Sequence, residues 1–216
     1  MGFTGWTDEA IAFFDQLEVE NTKAYWLAHK QVYDDQVAAP MHALLAELAP
    51  EFGEAKLFRP YRDTRFSADK SPYKTTIAAV LARGGYVQLS AGGLGAGAGA
   101  FHLASDQLER YRQAVDADRT GTQLERIAAD LARAGSELIG HDVLKTAPRG
   151  YAKDHPRVDL LRRKGITAWR EFPPSDWLGS KRAPRQLAAF FRSTQPLKDW
   201  LDVNVGESTM PDRPGR

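Results

Sequence analysis

The sequence predicts an α+β fold, a mainly antiparallel central sheet packed by N-terminal and C-terminal helices. Three observations lead there. Apolar residues recur at helical spacing at both ends of the chain, and short apolar runs punctuated by glycine fill the middle. Helices and strands also come in blocks, not in the strand–helix alternation of a parallel sheet. A chain of 216 residues can bury a sizeable core as one domain, expected over residues 1–205. The polar, Pro/Gly-rich stretch 206–216 reads as a disordered tail.

Each element has its own signal. Thr7 is placed to cap a first helix, with Asp8 and Glu9 near its positive end and Ile11, Phe13, Phe14 and Leu17 on its apolar side. Asn21 is read as the cap of a second helix carrying Tyr25, Trp26 and Tyr33 at helical spacings. Pro40 is expected to kink or restart it, and Pro50 with Gly53 to stop it. Residues 57–61 read as a strand, followed by strands at Ile77–Leu81 and around Tyr86, Val87 and Leu89. The Gly/Ala tract 91–100 reads as a further strand whose small residues let another backbone or a ligand approach closely.

Helices are then expected from Ser105, taken as a cap, to Ala117, and from Thr122 to Ala134. A helical turn at Val158–Leu161 and a strand at Ile166–Phe172 follow. A last helix begins near Ala183 and is kinked at Pro196.

Composition removes several classes. With no cysteine there is no disulfide, no thiolate nucleophile and no cysteine zinc site. No apolar run approaches the roughly 18–20 residues that span a bilayer, and the N-terminus lacks a signal-peptide pattern. The chain is therefore read as cytoplasmic, with no membrane partner. The formal charge of +1 hides an asymmetry. Residues 1–56 hold ten acidic and three basic side chains, and residues 142–192 hold twelve basic and five acidic. Either two solvated faces or a basic surface for an anion accounts for it.

The glycine tract does not read as Gly-x-Gly-x-x-Gly opening a helix, and neither a phosphate-loop nor a Gly-x-Ser-x-Gly motif occurs. His29, His42, His102, His141 and His155 are isolated from one another, so neither a metal nor a cofactor is expected.

The densest chemistry lies in residues 59–74, with Arg59, Arg62, Arg65, Lys70 and Lys74 set among Asp63, Asp69, Tyr61, Phe66 and Tyr73. In an extended segment Arg59, Asp63 and Arg65 face one way and Arg62 the other. Asp63 is thus able to hold a guanidinium in a bidentate pair. One reading is a preorganised anion site, in which arginine supplies planar forks and lysine point charge. The other is an Arg/Asp network that ties a long loop to the sheet. A second constellation, residues 145–156, holds Arg149, Tyr151 and His155. Arg149 is read as a further ligand cation. His155, whose unperturbed pKa of about 6.5 suits proton transfer, is read as the general acid–base candidate, with Asp63 as the other.

These residues carry a resemblance. The segment 61–74 (Tyr-Arg-Asp-Thr-Arg-Phe-Ser-Ala-Asp-Lys-Ser-Pro-Tyr-Lys) is joined by Gly84-Gly-Tyr, Leu89-Ser-Ala-Gly-Gly, Pro148-Arg-Gly and His155-Pro156. Phe13-Phe14, Asn21, Tyr25-Trp26, Lys30 and Tyr33 precede them. Together they resemble the bacterial and fungal family called domain of unknown function 2461. The resemblance implies one domain over nearly the whole chain and supplies no catalytic residue.

The expected function is binding, with processing left open, of a small phosphorylated or other anionic ligand through Arg59, Tyr61, Arg62, Arg65, Lys70, Lys74 and Arg149. The alternatives are a nucleic-acid-associated protein, which the near-neutral charge disfavours, and a non-catalytic module whose arginines form an internal network.

Overall fold

Thr7 is extended ahead of α1 (Asp8–Val19), and Asp8 and Glu9 occupy the first turn, where the helix dipole favours carboxylates. The Thr7 hydroxyl donates to Gln36 Oε1 at 3.0 Å and caps nothing. The cap of α2 (Lys23–Ala28) is Thr22, whose Oγ1 accepts the Tyr25 N–H at 3.1 Å. Asn21 is displaced from that role by a partner far along the chain. A short α3 (Lys30–Val32) passes into a π-helical stretch, Tyr33–Ala38, and then α4 (Ala39–Phe52). The expected kink at Pro40 is this widened stretch. Pro40 has no N–H, its ring crowds the carbonyl one turn back, and Ala39 N–H reaches five residues back to Asp34 O.

The computed structural model describes residues 2–175 and 178–210 of the chain. They form two compact units, Met1–Ala96 with Glu171–Phe191 and Gly97–Arg170 with Arg192–Arg216. The strands are β1 (Ala55–Leu57), β2 (Thr76–Leu81), β3 (Gly85–Ser90), β4 (Gly93–Ala100), β5 (Glu137–Ile139) and β6 (Ile166–Phe172). They make a six-stranded antiparallel sheet in the order β1-β2-β3-β4-β6-β5, with helices at both ends of the chain. The fold is α+β, as the sequence predicts.

In the first unit β3 buries Val87 and Leu89 on one side and leaves Tyr86, Gln88 and Ser90 half-buried on the other. The expected strand 57–61 is cut short. Phe58 N–H still donates to Ala78 O, but Pro60 has no donor for the ladder. Pairing returns only once, at Tyr61 opposite Tyr73. Leu57 faces Ala79 and Tyr61 faces Tyr73, so the returning arm carries two extra residues and bulges. Helix α8 (Ala183–Ser193) places Phe191 against Phe52, ring centroids 5.1 Å apart.

The Gly/Ala tract is β4, and what approaches closely is another backbone, that of β6. A Cβ at Gly93 would lie 2.4 Å from Phe172 O, and one at Gly99 would lie 2.5 Å from Ile166 O; both glycines have positive φ. Gly97 lies under the Trp169 ring, 3.1 Å from where a Cβ would stand.

The second unit packs α5 (Ser105–Asp116), α6 (Asp118–Arg133) and α9 (Gln195–Asn204) around Tyr111, Val115, Leu124, Leu131 and Trp200. Ser105 is the first helical residue and not the cap; the Gln107 side chain accepts the Ala104 N–H instead. Helix α6 begins a turn earlier than its spacing suggests. The final helix is two helices parted at Thr194, with Pro196 in the first turn of α9, where its missing N–H costs nothing. The short α7 (Val158–Leu161) and β6 lie where expected, and three-residue β5, paired to β6, adds a strand with no clear sequence signal. Asp106 accepts hydrogen bonds from Ser208 and Thr209, so residues 206–210 lie along the start of α5; residues 211–216 of the expected tail are outside the described residues. Among the described residues no helix is long and apolar enough to cross a membrane.

Candidate functional site

The basic segment is the distal end of the β1–β2 arm. Lys74 N–H donates to Pro60 O at 2.7 Å and Arg62 N–H to Pro72 O at 2.9 Å, so residues 60–62 and 72–74 stay paired. Beyond them the loop is tied by its own side chains. Asp63 Oδ1 accepts the Arg65 N–H at 3.2 Å, and Asp69 Oδ1 accepts the Ser71 N–H at 2.9 Å and its hydroxyl at 2.7 Å. Both are side-chain mimics of a backbone turn. Lys70 Nζ donates to Thr64 O at 2.9 Å.

The two carboxylates divide the arginines. Arg65 makes a bidentate fork on Asp63, Nε to Oδ1 at 3.0 Å and Nη2 to Oδ2 at 2.7 Å, while Arg62 pairs with Asp69. The carboxylate at 63 thus does hold a guanidinium. Arg62, Arg65 and Lys70 are engaged within the loop. Arg59 and Lys74 are not: among the described residues neither has a carboxylate partner. Arg59 is exposed. Lys74 is half-buried, with Nζ 5.4 Å from the Phe58 ring centroid. Burial first, and the nearby Arg59 charge second, lower its pKa.

Asp63 is held down to about 2, first by the Arg65 side chain and then by the Arg65 amide. The folded value lies below the ordinary 3.8, so the fork contributes above that pH and is lost as pH falls towards 2. A carboxyl-carbon NMR titration of Asp63 is expected to show a midpoint near 2, and Arg65→Ala is expected to return it towards 3.8. An unmoved midpoint in the variant would show that Arg65 is not the cause.

Aromatic rings back this arm. Trp26 is buried and stacks on Tyr73, centroids 4.3 Å apart and planes 7° apart. Tyr33 lies 4.7 Å and Tyr61 6.2 Å from the Trp26 ring, and Tyr61 lies 5.5 Å from Tyr73. Asn21 fixes the arm to the start of α2. Its Nδ2 donates to Tyr73 O and its Oδ1 accepts the Tyr73 N–H, both at 3.0 Å, as a neighbouring strand would. Sequence reading missed this role of Asn21 and the place of Tyr73; the primary amide, which matches a peptide's donor and acceptor, was the available signal.

Arg149 and His155 belong to the second unit. Arg149 is exposed beside the turn closed by Tyr151 N–H on Pro148 O at 3.2 Å. His155 Nε2 lies 3.1 Å from Asp116 Oδ1, and Nδ1 accepts the Arg157 N–H at 3.0 Å. A neutral ring protonated on Nε2 satisfies both contacts, and neither nitrogen is left over.

Arg157, which the sequence did not single out, is the buried cation of this unit, 8% exposed. Its guanidinium donates to Glu125, Asp118, Thr122 and the carbonyls of Val115 and Asp116. Lys164 pairs with Asp142 at 3.1 Å. Among the described residues no group of three or more His, Cys, Asp or Glu side chains is placed to hold a metal ion.

Comparison with curated proteins and with solved structures finds no match. The family model described as "Conserved hypothetical protein (DUF2461)" matches residues 9–200, a span that includes the Asn21 bracket, the whole arm, His155 and Arg157. The chain belongs to the DUF2461 family.

Proposed function

We propose that the protein binds a small phosphorylated or otherwise anionic ligand at Arg59 and Lys74. The observation that carries this reading is the division of the five cations. Three are taken up by the loop's own carboxylates and carbonyls, and two at its base make no ion pair, although Arg59 lies near enough to Asp63 to help hold its pKa down. The loop's internal bonds give those two a stiff frame, which lowers the ordering cost of binding. The strut and the site are therefore different residues of one segment. Asp63 is tied to Arg65 and both nitrogens of His155 are engaged, so the reading is of binding and includes no chemical step.

Calorimetric titration with inorganic phosphate tests it. Arg59→Ala and Lys74→Ala are each expected to weaken binding roughly tenfold, the worth of a charge-assisted hydrogen bond of about 1.5 kcal/mol. Arg65→Ala should weaken it less. No binding to the wild-type protein, or equal binding by all variants, would remove the proposal.

A further inference from the structure

Three tyrosines surround Trp26, and their hydroxyls differ from those of Tyr25, Tyr86 and Tyr111. The Tyr111 hydroxyl donates to Leu160 O at 3.0 Å, that of Tyr25 to Phe13 O at 3.4 Å and that of Tyr86 to Gln88 Oε1 at 2.9 Å. Among the described residues the hydroxyls of Tyr33, Tyr61 and Tyr73 make no hydrogen bond. Yet Tyr33 and Tyr73 are only 7% and 5% exposed. A buried phenol ordinarily finds a partner, because an unpaired hydroxyl away from water is costly. Among the described residues the one fully enclosed side-chain polar atom without a partner in a residue that is not exposed is Ser136 Oγ, so the phenol oxygens of Tyr33 and Tyr73 still reach solvent.

The three share one neighbourhood. Their rings lie within 6.2 Å of the Trp26 ring, and Tyr61 is 5.5 Å from Tyr73. Arg59 precedes Tyr61 by two residues along the arm, while Lys74, next to Tyr73, turns to the other side of the arm over the Phe58 ring and lies close enough to Arg59 for the two charges to interact. Tyr61 is 50% exposed and offers part of its ring.

Resting on the binding site proposed above, we infer that the hydroxyls of Tyr33, Tyr61 and Tyr73 bind the hydroxyl-rich body of a sugar phosphate whose phosphate is held by Arg59 and Lys74. A phenol both donates and accepts, as a sugar hydroxyl does, so each pair is satisfied in either sense. Burial, then Asp34, then Tyr61 push Tyr33 up to about 12, and burial and Tyr61 raise Tyr73, so both keep their protons at neutral pH. A few convergent polar groups on an aromatic wall is the usual make-up of a small-molecule site.

Calorimetry with ribose 5-phosphate and inorganic phosphate, on the wild-type protein and on Tyr33→Phe, Tyr61→Phe and Tyr73→Phe, tests this. Phenylalanine keeps each ring in place, and Tyr61→Phe alters a half-exposed residue, so at least one variant will fold. The wild-type protein should bind the sugar phosphate about tenfold more tightly than phosphate, and each variant should lose roughly threefold to tenfold of the sugar phosphate affinity while phosphate binding is unchanged. Equal affinity for the two compounds, or full sugar phosphate affinity in the three variants, overturns the inference. If Arg59→Ala abolishes phosphate binding while the phenylalanine variants bind normally, the anion site stands and the phenol cluster falls. If neither compound binds the wild-type protein, both fall.

Discussion

Trp26→Ala is expected to lower the unfolding free energy by about 4 kcal/mol, within the range for removing a large buried aromatic. The indole is 2% exposed and is contacted by Phe13 at 5.9 Å, Tyr33 at 4.7 Å, Tyr61 at 6.2 Å and Tyr73 at 4.3 Å. Four rings from α1, the π-helical stretch and both arms of the basic loop lose their common surface at once, and small side chains cannot collapse into the space. Trp26→Phe should recover about half of the loss, because the smaller ring still fills part of the site. Urea unfolding followed by far-ultraviolet circular dichroism measures both. The same substitutions bear on binding. Below the denaturation range, Trp26→Ala should also weaken phosphate binding, since the Tyr61–Tyr73 pair sets where Arg59 and Lys74 stand. An unstable variant with unchanged phosphate affinity would show that the Asn21 bracket alone positions the arm.

Why some of this was legible in the sequence, and some not, follows from where each signal resides. Helices α5 and α6 and strands β3 and β6 announce themselves through the spacing of their own apolar residues, because each buries one face, and β2 through a short apolar run, because Ile77, Ala78 and Ala79 are buried in succession. Asn21 and Thr22 carry equally good capping side chains side by side. What separates them is the Tyr73 backbone, 52 residues away, which matches the amide of Asn21 and leaves Thr22 as the cap. The strand read at 57–61 contained its own contradiction, since Pro60 has no ladder donor.

The basic segment was legible as a cluster but not as a division of labour. Asp63 does pair with Arg65, but in a turn and not in the extended segment from which the pairing was read. Nothing in the spacing said that Asp69 would return to Arg62, because that depends on the path of the turn. Arg157 was the least visible residue. Two of its acceptors are main-chain carbonyls, and a carbonyl has no letter in a sequence.

Arg157→Met should accordingly destabilise the second unit by about 3 kcal/mol, and most of that loss should not be electrostatic. Asp118 is fully exposed and Glu125 about half exposed, so water readily takes over both carboxylates and the two ion pairs contribute little. The carbonyls of Val115 and Asp116 are different. They end α5 with no helical donor ahead, and the guanidinium supplies hydrogen bonds at 3.3 and 3.2 Å. Methionine fills the volume and offers no donor, so those groups go unpaired. Arg157→Lys separates charge from geometry: an ammonium keeps the charge but cannot reach five acceptors at once, and should recover less than half of the loss. Gly121→Ala strikes the same joint from the other side, because a Cβ there would stand 2.3 Å from Val115 O and 2.7 Å from Arg157 Nε. Its cost should be similar in size and should fall short of additivity in the double variant with Arg157→Met, since the guanidinium clash is then gone while the carbonyl clash remains. A neutral Arg157→Lys would mean that charge, not the fork, holds α5 to α6.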